Sequence, residues 1–237
     1  MNRVICRLAF RECGMFTIPA ILILLGYTLF SVMPLRYFDT VIALLAVILG
    51  FIPGKFIFSD NGGVRPFLFS RAFSPTRLFL VRWLFGLAIL LFAAAMITAI
   101  LALGIRQAVQ TALFQNAFYP SIRYYELHVL WTFGIAALLT YHTTLFWTLR
   151  NRYLIKLKLS AVQRWGRRVA TLLVVLTFIV FGLALLYLTG IDLFMQVGYI
   201  TFFLPILQIV FLPAVILQTV LVPFYGVHCY RYQEIES

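Results

Sequence analysis

Six strongly apolar stretches of this chain contain no Asp, Glu, Lys or Arg: 13–35, 40–54, 83–105, 127–149, 169–191 and 193–230. Four of them are 23 residues long, matching the roughly 20 residues with which an α-helix crosses a ~30 Å hydrocarbon core. A soluble fold needs a charged skin, and here 63% of residues are apolar and only 11% charged. The expected fold is therefore all-α, a polytopic membrane protein of one domain spanning residues 1–237 with six transmembrane helices. The second stretch has only 15 residues, but Lys55 can snorkel, which extends that helix to about Phe58. The last, at 38 residues, is too long for one ordinary span and too short for two.

Charge sets the expected orientation. With the N-terminus in the cytoplasm, only Arg36, Arg106 and Arg123 of the 19 Lys and Arg fall outside. Both termini are then cytoplasmic, and the net charge of +12 calls for membrane lipid as its partner and for no nucleic acid. The first apolar stretch is too long for a cleaved leader and lacks a small-x-small site before Pro34. Cys6, Cys13 and Cys229 lie toward the cytoplasmic side, where a structural disulfide is not expected.

Residues 1–14 read as a short amphipathic interfacial helix, with Arg3, Arg7 and Arg11 on one stripe and Ile5, Leu8 and Ala9 on the other side. A plain basic anchor for the first span fits them equally well. In the loop 59–82, Asn61-Gly62-Gly63 breaks the second helix and Pro66 opens a short helix over about 66–72. Ser74-Pro75 then supplies an N-cap and a first-turn proline for a long helix running from Pro75 to about Ile105. The second cytoplasmic loop, 150–168, carries seven basic residues and no acid. Gly190-Ile191-Asp192 ends the fifth span, 193–204 reads as a re-entrant outer segment broken at Pro205, and the sixth span covers about 206–225. The alternative for this last stretch is one long kinked helix.

Catalytic chemistry finds no footing. There is no Gly-x-Ser-x-Gly elbow, no His-Glu-x-x-His and no paired intramembrane aspartate, so no catalytic residue or metal site is assigned. Gly50–Lys55 superficially imitates a phosphate loop but is short by one residue and lies in an apolar helix. No Asp, Glu, Lys or Arg falls mid-span, which argues against ion coupling. The one polar group of interest inside a span is Tyr141, His142 and Thr143, a possible substrate pathway or a helix-packing hydrogen bond.

The first cytoplasmic loop carries a likeness. Its runs Asp60-Asn61-Gly62-Gly63, Phe67-Leu68-Phe69-Ser70-Arg71-Ala72-Phe73-Ser74 and Arg77-Leu78-Phe79-Leu80-Val81-Arg82 resemble the corresponding loop of type-2 ATP-binding-cassette (ABC) transporter permeases. Ala72 stands where proline is common in that family, and Asp60 replaces an acidic pair. The resemblance implies the transmembrane subunit of an ABC exporter, itself without enzyme activity. It implies pairing with a second permease copy or a related permease, above separate ABC ATP-binding subunits that hold ATP and Mg. It places the chain in the cell membrane, the cytoplasmic membrane of a bacterium. It assigns coupling to the ATPase to Arg65, Phe67, Phe69, Ser70, Arg71, Phe73, Ser74 and Arg77, with rings for an apolar groove and cations for its acidic rim. The competing reading is a non-transporting membrane scaffold or assembly factor that docks a soluble partner through the same loops.

Overall fold

The computed structural model describes residues 2–30, 35–57, 74–105, 108, 123–150, 165, 168, 171–172 and 204–236. Among them are five α-helices and no strand: α1 (Asn2–Phe30), α2 (Leu35–Phe56), α3 (Pro75–Ala102), α4 (Arg123–Leu149) and α5 (Leu204–Glu236). Stretches of α1, α3, α4 and α5 are long and apolar enough to cross a membrane, and α2 carries the shorter apolar run Val41–Phe56. The chain is a helical, multi-pass membrane protein.

Each helix buries one stripe at helical spacing and leaves the rest apolar. In α1 the buried positions are Cys13, Thr17, Ala20, Leu24 and Thr28, while Met15, Ile18, Leu22 and Ile23 face outward. In α5 they are Phe211, Val215, Gln218, Val222 and Cys229, against exposed Ile216, Leu217, Val220, Leu221 and Phe224. A helix apolar on its outer face as well as its inner one suits hydrocarbon surroundings. The fourth helix differs, since two-thirds of its span Val129–Leu149 is buried, against a third or less in the spans of α1, α3 and α5. It sits at the centre, touching α2, α3 and α5.

Contacts along the helices fix their directions. Phe16 of α1 stacks on Phe56 of α2 at 4.8 Å. Gly54 of α2 lies against Tyr141 and Leu145 of α4, and Phe146 of α4 meets Tyr225 of α5 at 5.0 Å. Phe79 of α3 packs on Gly226. One end of the bundle thus gathers the middle of α1 and the start of α3 with the ends of α2 and α4 and the last third of α5. Leu149 and Leu204 therefore lie at opposite ends.

Several expected boundaries shift for local reasons. Residues 2–14 are continuous with the first span in one helix, with no turn between them. Pro19 lies inside that helix, where it has no N–H to give the Met15 carbonyl. The third helix opens at Ser74-Pro75 as expected but stops at Ala102, short of Ile105, because Gly104 takes a left-handed φ of 64°. The last helix begins at Leu204, which puts Pro205 in a first turn where its missing N–H does no harm. It runs past Tyr225 to Glu236, since Gly226 serves as a packing surface for Phe79 and does not end the helix. The expected second helix ends near its predicted limit, at Phe56 with a turn at Ile57. Most of 150–203, including the expected fifth span and re-entrant segment, lies outside the described residues.

Candidate functional site

Two places in the sequence carry functional candidates: the loop joining α2 to α3, and the polar run on α4. Of the loop, Arg65, Phe67, Phe69, Ser70, Arg71 and Phe73 lie outside the described residues. Its exit is described. Ser74 is exposed and its hydroxyl accepts a hydrogen bond from the Arg77 N–H at 3.2 Å, with Pro75 in the first turn. Three local choices agree here, because the cap satisfies an orphan donor, proline presets φ, and Arg77 extends outward from the new helix.

That end of the bundle is also the basic one. Lys55 closes α2 with its ammonium 5.8 Å from the Phe51 ring centre, and Arg150 follows α4 with its guanidinium 4.6 Å from the Trp147 ring centre. Arg77 is exposed one turn into α3. Cations held over aromatic faces at a helix end suit the interface between hydrocarbon and headgroups.

Arg82 is a buried cation. Counted from sequence among the cytoplasmic charges, it is buried within α3, at 1% exposure. It shares the inner stripe of that helix with Phe79 and Gly86, three before and four after, and this spacing is the signal that sequence reasoning passed over.

On α4, Tyr141 and His142 are both fully buried and both bonded into the bundle. The Tyr141 hydroxyl donates to the Trp83 carbonyl at 2.9 Å. His142 Nδ1 lies 2.9 Å from the Leu138 carbonyl, which can only accept, so Nδ1 carries the proton. Nε2 is then an acceptor, and the Trp83 indole N–H reaches it at 3.4 Å. The ring is held on two sides, with Tyr141 tilted against it at 5.2 Å between centroids. These two residues tie α3 to α4 by hydrogen bonds. Thr143 is buried beside them but has no hydrogen-bond partner among the described residues.

Sequence reasoning also missed the glycines. A Cβ on Gly50 would strike the Ala137 carbonyl oxygen, and one on Gly54 would come within 2.8 Å of the Tyr141 carbonyl oxygen. Gly50-x-x-x-Gly54 is thus a close-approach face that lets α2 lie backbone-to-backbone on α4. The segment that imitates a phosphate loop was readable as this small-x-x-x-small pattern. Gly86 and Gly226 make room in the same manner for the Tyr141 hydroxyl and the Phe79 ring.

Among the described residues Cys13 and Cys229 are buried thiols, and no group of three or more His, Cys, Asp or Glu converges. Comparison with known proteins finds no matching family model, no matching curated protein and no matching solved structure.

Proposed function

We propose that this chain is the transmembrane subunit of an ABC exporter, lining the substrate pathway as a dimer and driven by separate ATP-binding subunits that hold ATP and Mg. The observation that carries the reading is the loop likeness over Asp60–Arg82, joined to the Ser74-Pro75 start of α3 at the basic end of the bundle. A force applied to the loop would pass directly into a capped helix of 28 residues, about 42 Å long. In this reading the basic end faces the cytoplasm and both termini lie there. The opposite positions of Leu149 and Leu204 ask the intervening chain for one more crossing. The uncharged stretch 169–191 is long enough to supply it, which brings the count to six spans.

The loop would work by fitting Phe67, Phe69 and Phe73 into an apolar groove of the ATPase, with Arg65, Arg71 and Arg77 against its acidic rim. Ligand-driven closure of the ATPase dimer would then bias two arrangements of the permease, the free energy coming from the partner. Co-purification from native membranes tests this directly. A permease brings down an ATP-binding subunit, whose hydrolysis is coupled to the membrane chain and lost in Arg71→Glu and Phe69→Asp, with both variants still folded in the membrane. Recovery of a soluble partner without ATPase activity would favour the scaffold reading.

A further inference from the structure

The exposed positions of α2 form one narrow line. Between residues 41 and 57 only Leu44, Ile48, Phe51 and Lys55 are exposed, at steps of four, three and four. At 100° per residue these positions fall within about 60° of arc. Every other residue of that stretch is buried or half-buried, with Gly50 and Gly54 against α4 and Phe56 against Phe16 of α1. A second helix packing here would ask for an apolar face of about 100° or more. A line one side chain wide suits an acyl chain instead.

The line ends in a charge that is turned inward. Side chains of an α-helix lean toward its N-terminus, and for Lys55 in the last turn of α2 that direction leads back along the apolar part. The ammonium accordingly lies 5.8 Å from the centre of the Phe51 ring, one turn back. The ring engages one side of a group that carries three N–H donors, and among the described residues no carboxylate pairs with it. The helix is also short for its surroundings. Its apolar run Val41–Phe56 covers about 24 Å, roughly 6 Å less than a ~30 Å hydrocarbon core. A span shorter than the bilayer thins it locally, which lowers the headgroup phosphates toward a cation at this depth.

We propose that Leu44, Ile48, Phe51 and Lys55 hold a phospholipid with a net negative head, its phosphate on the Lys55 ammonium and one acyl chain along the three apolar side chains. Charge selects the class. Phosphatidylcholine brings its own cation to its phosphate, whereas phosphatidylglycerol leaves one negative charge for the lysine to balance. Free phosphate gains nothing from the apolar line. The site lies on the outer face of α2, away from the seam with α4, and it stands apart from any ATP-binding partner.

The test reads lipid locally, because the other basic residues draw anionic lipid around the whole chain. A bimane fluorophore is attached to Ile48→Cys in a Cys6→Ser background, with Cys13 and Cys229 buried away from the reagent. The same label on Val220→Cys, at comparable depth on the exposed face of α5, gives the general level. The chain is placed in phosphatidylcholine nanodiscs containing dibrominated phosphatidylglycerol, or dibrominated phosphatidylcholine with the same chains, as quencher. At position 48 phosphatidylglycerol should be enriched about fivefold over its level at position 220, as fits the ~1 kcal/mol that one lysine contributes near an anionic surface. Lys55→Gln should remove that excess, while Lys55→Arg keeps it and shows that the helix end is intact. Equal enrichment at the two positions overturns the site, leaving only the general attraction of a basic chain. An excess that survives Lys55→Gln overturns the role of the lysine, and equal quenching by both lipids at position 48 overturns the ligand class.

Discussion

The two sides of the central helix are closed in different ways. Toward α2, the seam is backbone against backbone, with Gly50 and Gly54 lying on the carbonyls of Ala137 and Tyr141. Toward α3 and α5, it is closed by rings, Tyr141 on Gly86, Phe146 on Tyr225 and Trp83 on His142, and beside them Phe79 on Gly226 joins α3 to α5. A backbone carbonyl in a helix cannot step aside, whereas an aromatic ring can change its rotamer. The first seam is closed by groups that are fixed, and the second by groups that can reorient. A two-state motion of this bundle, if driven through α3, would open along the ringed side and carry α2 and α4 together.

The sharpest break of that contrast is at Gly50. Gly50→Leu should prevent stable folding, beyond the ~1–3 kcal/mol typical of overpacking, because the obstacle is the Ala137 carbonyl. The milder Gly50→Ala should still destabilise strongly, and adding Ala137→Gly should not rescue it, since the oxygen remains. Reversible unfolding in mixed micelles measures both. Full stability of Gly50→Ala would mean that α2 does not lie on α4 as described.

On the ringed side the same experiment should give the opposite outcome. Gly226→Ala pushes a methyl into the Phe79 ring, at a cost of about 1–3 kcal/mol. Phe79→Leu made together with it should restore part of that loss, with a coupling of about 0.5–3 kcal/mol in a double-mutant cycle. Additive effects would show that the two residues are not in contact and would remove the distinction between the two seams.

How far the sequence revealed these seams depends on which physical signal each uses. Hydrophobic length and absence of charge are strong, and they placed α1, α3 and α4 with little ambiguity. Ser74-Pro75 is a local rule with a local cause, and it set the start of α3 to the residue. Helix ends governed by packing were less legible. Gly226 looks like a helix breaker in sequence, and only the facing Phe79 ring reveals it as a close-contact position within α5. Arg82 was counted only for the side of the membrane that it marks, and its spacing from Phe79 and Gly86 is what turns it inward. Within Tyr141-His142-Thr143, sequence alone could not separate groups bonded across helices from one left open, because Trp83 is 58–59 residues away.

A smaller effect belongs to the entrance of α3. Ser74→Ala removes the acceptor of the Arg77 N–H and should cost about 1 kcal/mol. Ser74→Asp should retain the cap and the stability. Because the residue is exposed and lies outside both seams, its loss should add independently to Gly50→Ala and to Gly226→Ala. A coupling above about 0.5 kcal/mol with Gly226→Ala would indicate that the start of α3 and the ringed seam move as one unit.

The smallest expected effect tests how the ringed seam is held. Tyr141 bonds the backbone carbonyl of residue 83, so Trp83→Phe should leave that bond intact and remove only the indole contact to His142. At 3.4 Å the indole bond is long, and side-chain hydrogen bonds within membranes average about 0.6 kcal/mol. Tyr141→Phe removes the shorter bond of 2.9 Å, and it should destabilise somewhat more than the loss of the indole bond alone. It also relieves the hydroxyl that crowds Gly86, so Gly86→Ala should be better tolerated in the Tyr141→Phe background than in the wild type. Hydrogen exchange of the Trp83 indole N–H supplies a readout independent of stability. It should be slow in the wild type and in Tyr141→Phe, and faster in His142→Phe, where the accepting nitrogen is gone. Exchange unaffected by His142→Phe would mean that ring packing alone joins α3 to α4, and the ringed seam would then be freer to slide than its hydrogen bonds imply.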